Sequence, residues 1–492
     1  MNRRNMQRPE EPIAPRRAIA RARHLVAALL CIMPPLYLSN RLLTLHTVED
    51  NKWLAVVFLS LCETSLIALA AAMRATEPRR PRNPLILALL TGATAFALAH
   101  IISALLSHEP GFSLRATIPP LSLIVLFGML IWQPPKPRAI RELVVLTVAI
   151  GALAGFCALA QHWGFDPLAQ WVRYREADRY RTGVFVTFGN PEYLGGYLAP
   201  LAVVSLGLTM IGASWGARSV ALLAAVLTAV PAILSGSRGA FLGLALGALV
   251  LLSGVLMIVP SLSRRVRIGG FLLGGAMVAL LVAVLFFGSS TGPGGLLRAR
   301  LADLANPYSD SIRGRIVFNL VGAEMIAKHP VTGIGPGMFG IEFYPTFLAL
   351  GRPDPGVAMD VIARDFNGAV AEHAHNDWLE IWAATGTVGF AAWLWILAVW
   401  AIAIARMFVQ QSGETHDRLL ALALVSGILA LLVNALFNFP LHEPVRATLF
   451  WLTLAWSASL ASVAETHATQ RDSTGKKLVS RIRAVPYFAR LK

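Results

Sequence analysis

Charge is what this chain has least of. Charged residues make up 14% of its 492 positions, and only 27 of them are acidic. A soluble chain of this size could not cover itself with so little polar surface. Cysteine is almost as scarce. Cys31, Cys62 and Cys157 all lie inside apolar runs, with no spacing that fits a disulfide framework or metal knuckle, so they read as packing residues. There is no Walker A or dinucleotide-binding glycine pattern. No short tandem repeat is visible, and no soluble domain is expected after the last apolar run.

What remains is apolar. Hydrophobic residues are 56% of the chain and the mean hydropathy is +0.61. Windows of about 17–25 apolar residues, long enough to cross a bilayer, fall near 24–40, 53–73, 84–106, 117–133, 140–162 and 193–213. Six more fall near 218–235, 239–259, 268–288, 378–405, 419–437 and 446–464. The expected fold is an all-α polytopic membrane bundle of about twelve helices, with one long outer loop, 289–377, containing short helices.

The formal charge of +16 would point to nucleic acid in a soluble protein. Here the positive-inside rule is the simpler cause, and nucleic acid is not expected as a partner. With the N-terminus inside, the inner segments hold 27 of the 43 Lys and Arg residues. Arg74, Arg79, Arg80 and Arg82 in one short connector, and Arg264, Arg265 and Arg267 in another, decide the orientation. Residues 1–23 are then a basic cytoplasmic tail, too long for a cleaved signal peptide. Residues 465–492 form a second basic tail, expected to be disordered and to lie near anionic membrane lipids. Between the tails the chain divides into N-terminal transmembrane helices, 24–162, and a larger membrane unit, 163–464.

That orientation places 107–116, 163–192, 235–239, 289–377 and 438–445 outside, and these turns carry most of the unusual polar residues. Charged groups at the ends of membrane helices are costly, so by default they mark a site. Arg238 stands in Ser235-Gly236-Ser237-Arg238-Gly239, where small residues permit close approach. It is either a snorkelling anchor or a guanidinium placed to grip phosphate. Arg313 and Arg315 precede a run to Lys328 that reads as an amphipathic helix over 315–328, with Ile316, Leu320, Ala323 and Ile326 near one face. Arg315 is expected at its start, where backbone N–H groups already favour an anion.

Ala371-Glu372-His373-Ala374-His375-Asn376-Asp377 opens directly into the apolar run at Trp378. Asp377 as N-cap with Glu380 three residues on imitates a capping box. That accounts for the acids and leaves the histidines. A histidine with a pKa near neutral suits a general base for a hydroxyl acceptor. His-x-His-x-Asp could also bind a metal, but no third cluster shows matching ligand spacing, so neither metal nor cofactor is expected. Arg173, Arg175, Arg179 and Arg181, with Trp171, Tyr174 and Tyr180, make a basic aromatic patch, either interfacial belt or sugar platform. Asn190 in Phe188-Gly189-Asn190-Pro191, and His442 in the proline-bounded turn 438–445, read as structural or as groove lining. Gly386 and Gly389 point to a close helix contact. A transporter shares this architecture, but the mid-span segments are nearly free of charge and no half-to-half similarity is visible.

These residues resemble the O-antigen ligase and polymerase superfamily of bacterial inner-membrane glycosyltransferases, over roughly 180–445. The closest match is His375-Asn376, nine residues, then Gly386-x-x-Gly389. The Ser-x-Ser-Arg-Gly turn at Arg238 is similar, as are Arg315 fifteen residues before Pro330-x-x-Gly333-x-Gly335, and Phe188-Gly-Asn-Pro. The resemblance implies a metal-independent, inverting transfer on the periplasmic face of the inner membrane. The donor would be an undecaprenyl-diphosphate-linked glycan, and the acceptor a hydroxyl of lipid A-core, of another glycan or of a protein, with lipid A-core first. His375, Arg238 and Arg315 would be catalytic, with His375 activating the acceptor and the arginines holding the diphosphate. Arg313, Asn376, His373, Arg181 and Asn190 would bind substrate.

Overall fold

The computed structural model describes residues 13–37, 45–73, 83–167, 184–258, 310–350 and 371–483. Among the described residues there is no strand, and eleven helices are long and apolar enough to cross a membrane. They are α1 (Ile13–Leu36), α2 (Leu45–Ala72), α3 (Pro84–Leu106), α4 (Pro110–Trp132), α5 (Pro137–His162) and α6 (Pro191–Ile211). After them come α7 (Trp215–Leu234), α8 (Arg238–Ile258), α11 (Asp377–Val409), α12 (Thr415–Asn434) and α13 (Pro444–Arg483). Two shorter helices, α9 (Asp310–Lys328) and α10 (Phe339–Ala349), lie at one end of the bundle, the end that carries the polar turns. The predicted span 268–288 and the basic patch 171–181, with Arg181, fall outside the described residues.

Local sequence explains where the helices begin. Pro84, Pro110, Pro137, Pro191 and Pro444 each open one, where a fixed φ is helical and a missing N–H costs nothing. Asn83, Asn190 and Ser214 cap the helices that follow them, accepting N–H bonds from Leu85, Glu192 and Ala217. α6, α12 and the first turns of α13 form the buried centre, with α7 packed on α6, and α8 on both α6 and α12. Small residues set the spacing. A Cβ on Gly243 would stand 2.3 Å from the Ala430 carbonyl oxygen, and one on Gly155 would stand 1.8 Å from that of Leu227.

Three expectations need correction. The tails are partly helical: α1 starts at Ile13, and α13 continues to Arg483 through a stretch expected to be disordered. A long apolar helix is already nucleated there, and Ala, Glu, Gln, Lys and Arg extend it at little cost. Second, α9 starts at Asp310, so Arg315 stands beyond its first turn, away from the orphan N–H groups. Its buried face is Gly314, Phe318, Val321, Gly322 and Met325, while Ile316 and Leu320 are exposed. The same 3.6 period fits both stripes, and packing of Phe318 and Gly322 against 371–379 selects the other one. Third, the N-cap of α11 is Asn376, which accepts from Leu379 N–H at 3.4 Å, and Asp377 is already helical.

α11 is interrupted at Gly386, whose φ of 65° lies in the left-handed region that glycine adopts freely. A Cβ there would stand 2.2 Å from the Val331 carbonyl oxygen. The loop 330–337 fills the break. Ile334 and Gly335 donate N–H bonds to the Ala383 and Ala384 carbonyls, and Thr387 N–H donates to Pro330. A broken membrane helix is tolerable where neighbours take up its freed carbonyls in this way. The close contact expected of Gly386 and Gly389 is therefore with a loop, with residue 385 of the same helix, and with Ala99 of α3.

Candidate active site at the 371–377 turn

The site is assembled from the ends of five elements. Asp377, at the first turn of α11, is fully buried and ties two segments together. Its N–H donates to the Ala435 and Asn438 carbonyls, and its carboxylate accepts from Leu441 N–H at 2.7 Å. The other carboxylate oxygen lies 2.6 Å from His442 Nδ1. Glu380, one turn on, accepts from Ala374 N–H at 2.8 Å and lies 2.7 Å from His373 Nδ1. His442 Nε2 stands 3.6 Å from the same Glu380 oxygen. Two carboxylates and two histidines thus clamp the 373–375 segment onto α11. Burial opposes the charged form of His442, but Glu380 and Asp377 outweigh it and raise its pKa to about 9.

His375 follows that clamp with φ at 51°, a left-handed conformation uncommon for a residue with a side chain. Strain of this kind persists where surrounding bonds over-determine the backbone, and it clusters at functional sites. Its ring stacks on Phe318 of α9, with centroids 5.5 Å apart, and meets Phe439 edge-on at 5.0 Å. Burial pushes its pKa down to about 4; Glu192 opposes the fall, and Arg315 adds to it. At neutral pH the imidazole is therefore uncharged and can accept a proton. Arg315 and Phe318, three residues apart on α9, present the same face to this turn. Asn376, besides capping α11, lies 3.5 Å from the side-chain oxygen of Asn319.

Arg238 is the first residue of α8 and is 8% exposed, so it does not snorkel to water. Ser235 accepts from Ser237 N–H, and Ser237 accepts from Ala240 N–H, which closes the turn beneath it. The Arg238 end of α8 packs on the end of α12: a Cβ on Gly239 would stand 2.9 Å from Asn434 Nδ2. The turn after Asn434 reaches Asp377, which brings Arg238 to the same end of the bundle as His375. Asn190 caps α6 and thereby places Glu192 near His375. Arg313 lies in α9, and its side chain is outside the described residues.

Several groups here were not singled out as functional from the sequence. His442 and Asn438, read as parts of a structural turn, join the clamp, and Glu380 does more than cap. With its amide nitrogen turned toward Glu192, Asn438 donates to that carboxylate at 2.9 Å. Arg446 is fully buried, 3.1 Å from Glu443 through Nε, with its guanidinium 4.5 Å above the Tyr193 ring. The available signal was positional: His442, Glu443 and Arg446 are ionisable residues at the mouth of an apolar helix. His373, Glu380 and His442 also offer ligand atoms within 4.8 Å of one another, a two-histidine, one-carboxylate set. The third group comes from a turn more than sixty residues away, beyond the reach of any spacing rule.

A cavity of about 1070 Å³ opens on the other side of the turn, bounded by α2, α4, α10 and α11. His373 and His442 form part of its wall, and His375 does not. Phe439 separates the two histidines, its centroid 4.3 Å from that of His373.

A comparison with curated proteins yields no match. Residues 223–394 run from α7 past Arg238, Arg315 and His375 to the helix beyond Gly386; they match the profile of the family described as O-antigen ligase, and this match supports the O-antigen ligase superfamily.

Proposed function

We propose that the protein transfers a glycan from an undecaprenyl-diphosphate carrier to an acceptor hydroxyl, at the periplasmic face of the bacterial inner membrane. The observation that carries this reading is a partly buried histidine held in a strained turn and stacked on the helix that carries Arg315. His375 takes the proton of the acceptor hydroxyl as its oxygen attacks the anomeric carbon. The bond from that carbon to the diphosphate oxygen breaks, and undecaprenyl diphosphate leaves with the electron pair. Attack opposite the leaving group inverts the centre. Charge grows on the diphosphate in the transition state, and Arg238 and Arg315 stabilise it most at that moment. The division into N-terminal helices, 24–162, and a catalytic unit, 163–464, belongs to this proposal, as do Asn376, His373 and Asn190 as substrate-binding residues. Ligation to lipid A-core is the acceptor reading that the family carries first; polymerisation and transfer to protein use the same chemistry.

A second assignment of the base has its own support. His373 is oriented by Glu380 in the manner of a histidine–carboxylate dyad and faces the cavity. It is distinguished from His375 by separate substitution.

The test is transfer in vitro. Purified full-length protein, a polyprenyl-diphosphate glycan and hydroxyl acceptors give product in the presence of EDTA. Loss of activity with EDTA and recovery with zinc would turn His373, Glu380 and His442 into a metal site and overturn the metal-free mechanism. Cysteines placed at 331 and 372, both exposed at the end of the bundle that carries His375, label with a membrane-impermeant maleimide in cells with a permeabilised outer membrane. Labelling only after lysis would refute the outer-face assignment.

A further inference from the structure

Arg446, the third residue of α13, is fully buried and takes no part in the clamp or the mechanism above. Glu443 occupies only one edge of it, accepting from its backbone N–H at 2.8 Å and from Nε at 3.1 Å. Nη1 and Nη2 are buried and meet no hydrogen-bond acceptor. Asn434, at the end of α12, is 1% exposed, and its Oδ1 and Nδ2 are buried and unbonded as well. The two side chains converge on Gly196 of α6, where a Cβ would stand 3.1 Å from Arg446 Nη1 and 3.2 Å from Asn434 Oδ1. The same asparagine reaches Gly239, the residue after Arg238, and Gly195 stands against Ser235 and Ser237 of that turn. Arg238, Asn434 and Arg446 therefore follow one another across the end of the bundle that carries His375.

Buried polar groups are bonded in roughly nine cases out of ten or more, so a cluster of unbonded ones marks a place where something else bonds. Its demand is one-sided. Nη1, Nη2 and Nδ2 are donors, and only Oδ1 accepts. A water molecule gives as many bonds as it takes, whereas a phosphate brings acceptor oxygens that fit the guanidinium fork in pairs. Glu443 and Glu49 face Arg446, and Lys52 faces both carboxylates, so the acids leave no excess of negative charge against an anion. We infer that Arg446 and Asn434 bind the phosphate of the donor that lies farther from the transferred sugar, and so select a diphosphate carrier over a monophosphate one. The inference rests on the glycan transfer proposed above and deepens its donor site. Arg238 then holds the phosphate next to the sugar, and the Asn434 amide lies between the two cations. Arg446 is closed to solvent, so binding requires α6 and α13 to part at this end.

Equilibrium binding of farnesyl diphosphate and farnesyl monophosphate to the full-length protein in micelles, with no acceptor present, reads this subsite. The wild type binds the diphosphate at least about tenfold more tightly. Arg446→Gln lowers diphosphate affinity by about tenfold or more and leaves monophosphate affinity within about threefold. Because it also strands Glu443 in the interior and can unfold the protein, two further variants keep that pair intact. Asn434→Leu removes the amide at similar volume, and Gly196→Ala puts a methyl group into the space between Nη1 and Oδ1. Each lowers the diphosphate-to-monophosphate ratio by about fivefold or more. An unchanged ratio in both, or equal binding of the two probes to wild type, overturns the inference and makes the cluster a water site only. In the transfer assay the same variants raise the KM of the donor and leave that of the acceptor; a rise confined to the acceptor overturns it too. A protein that selects the diphosphate as stated but transfers nothing refutes the transfer reading and leaves the subsite standing.

Discussion

On one side of the 371–377 turn lie arginines, phenylalanines and a neutral imidazole; on the other lie carboxyls, tryptophans and an open cavity. Two residues separate the faces. His373 borders the cavity and is bonded to Glu380, whereas His375 packs on Phe318 near Arg315 and has its pKa lowered to about 4. Guanidinium groups placed among the carboxyls would be neutralised by them, and an imidazole held by Glu380 as His373 is would be tied to that carboxylate. The backbone achieves the split by turning sharply between the histidines, at the cost of a left-handed residue, and the Asp377–His442–Glu380 clamp holds it there.

The largest effect expected from breaking one side comes from the arginines. Arg238→Lys and Arg315→Lys keep the charge and lose the planar fork, so each lowers kcat/KM by roughly 30- to 1000-fold. Turnover near wild type in both variants would make them anchors. Next is Glu380→Gln, which keeps the shape and removes the charge that binds His373 and His442. Loosening the turn by a fraction of an ångström lowers kcat about 10- to 100-fold, while the donor still binds. A loss of donor affinity instead would place Glu380 on the arginine side.

The pH profile sharpens the comparison more gently. Because His375 stays neutral down to about pH 4, the acid limb of kcat/KM falls near that value and not near 6.5. His442 behaves in the opposite sense. Its pKa is raised in the folded state, so its contribution to stability is complete below the ordinary value of 6.5 and is lost as pH rises through about 9. The thermal midpoint accordingly drops between pH 7 and 10 in wild type, and His442→Gln flattens that drop. The smallest effect belongs to Arg313. Two positions from Arg315, it lies about 200° around the helix, so Arg313→Ala changes kcat/KM by about threefold or less.

The spans were legible because bilayer thickness forces long apolar runs, and proline and asparagine mark where several begin. That His375, Arg238 and Arg315 gather at one end of the bundle was legible for a related reason: polar groups at helix mouths stand out against an apolar background. The face of α9 was not legible, since two stripes fit one period and only contact with the 371–379 segment selects between them. Nor was the role of His442, whose partners Asp377 and Glu380 lie more than sixty residues earlier in the chain. The cavity escaped for the same reason, because Glu49, Glu372 and Trp451 meet only through tertiary packing. Local pattern reveals which residues are out of place, and only the fold reveals what they face.

The most direct test of the central claim is a single-turnover comparison of His375→Ala and His373→Ala in purified full-length protein, with EDTA present and donor binding measured in parallel. The account predicts that His375→Ala binds donor and forms no product, while His373→Ala forms product more slowly. Product from His375→Ala at a rate near wild type, with none from His373→Ala, would contradict it and move the base to the cavity side of the turn.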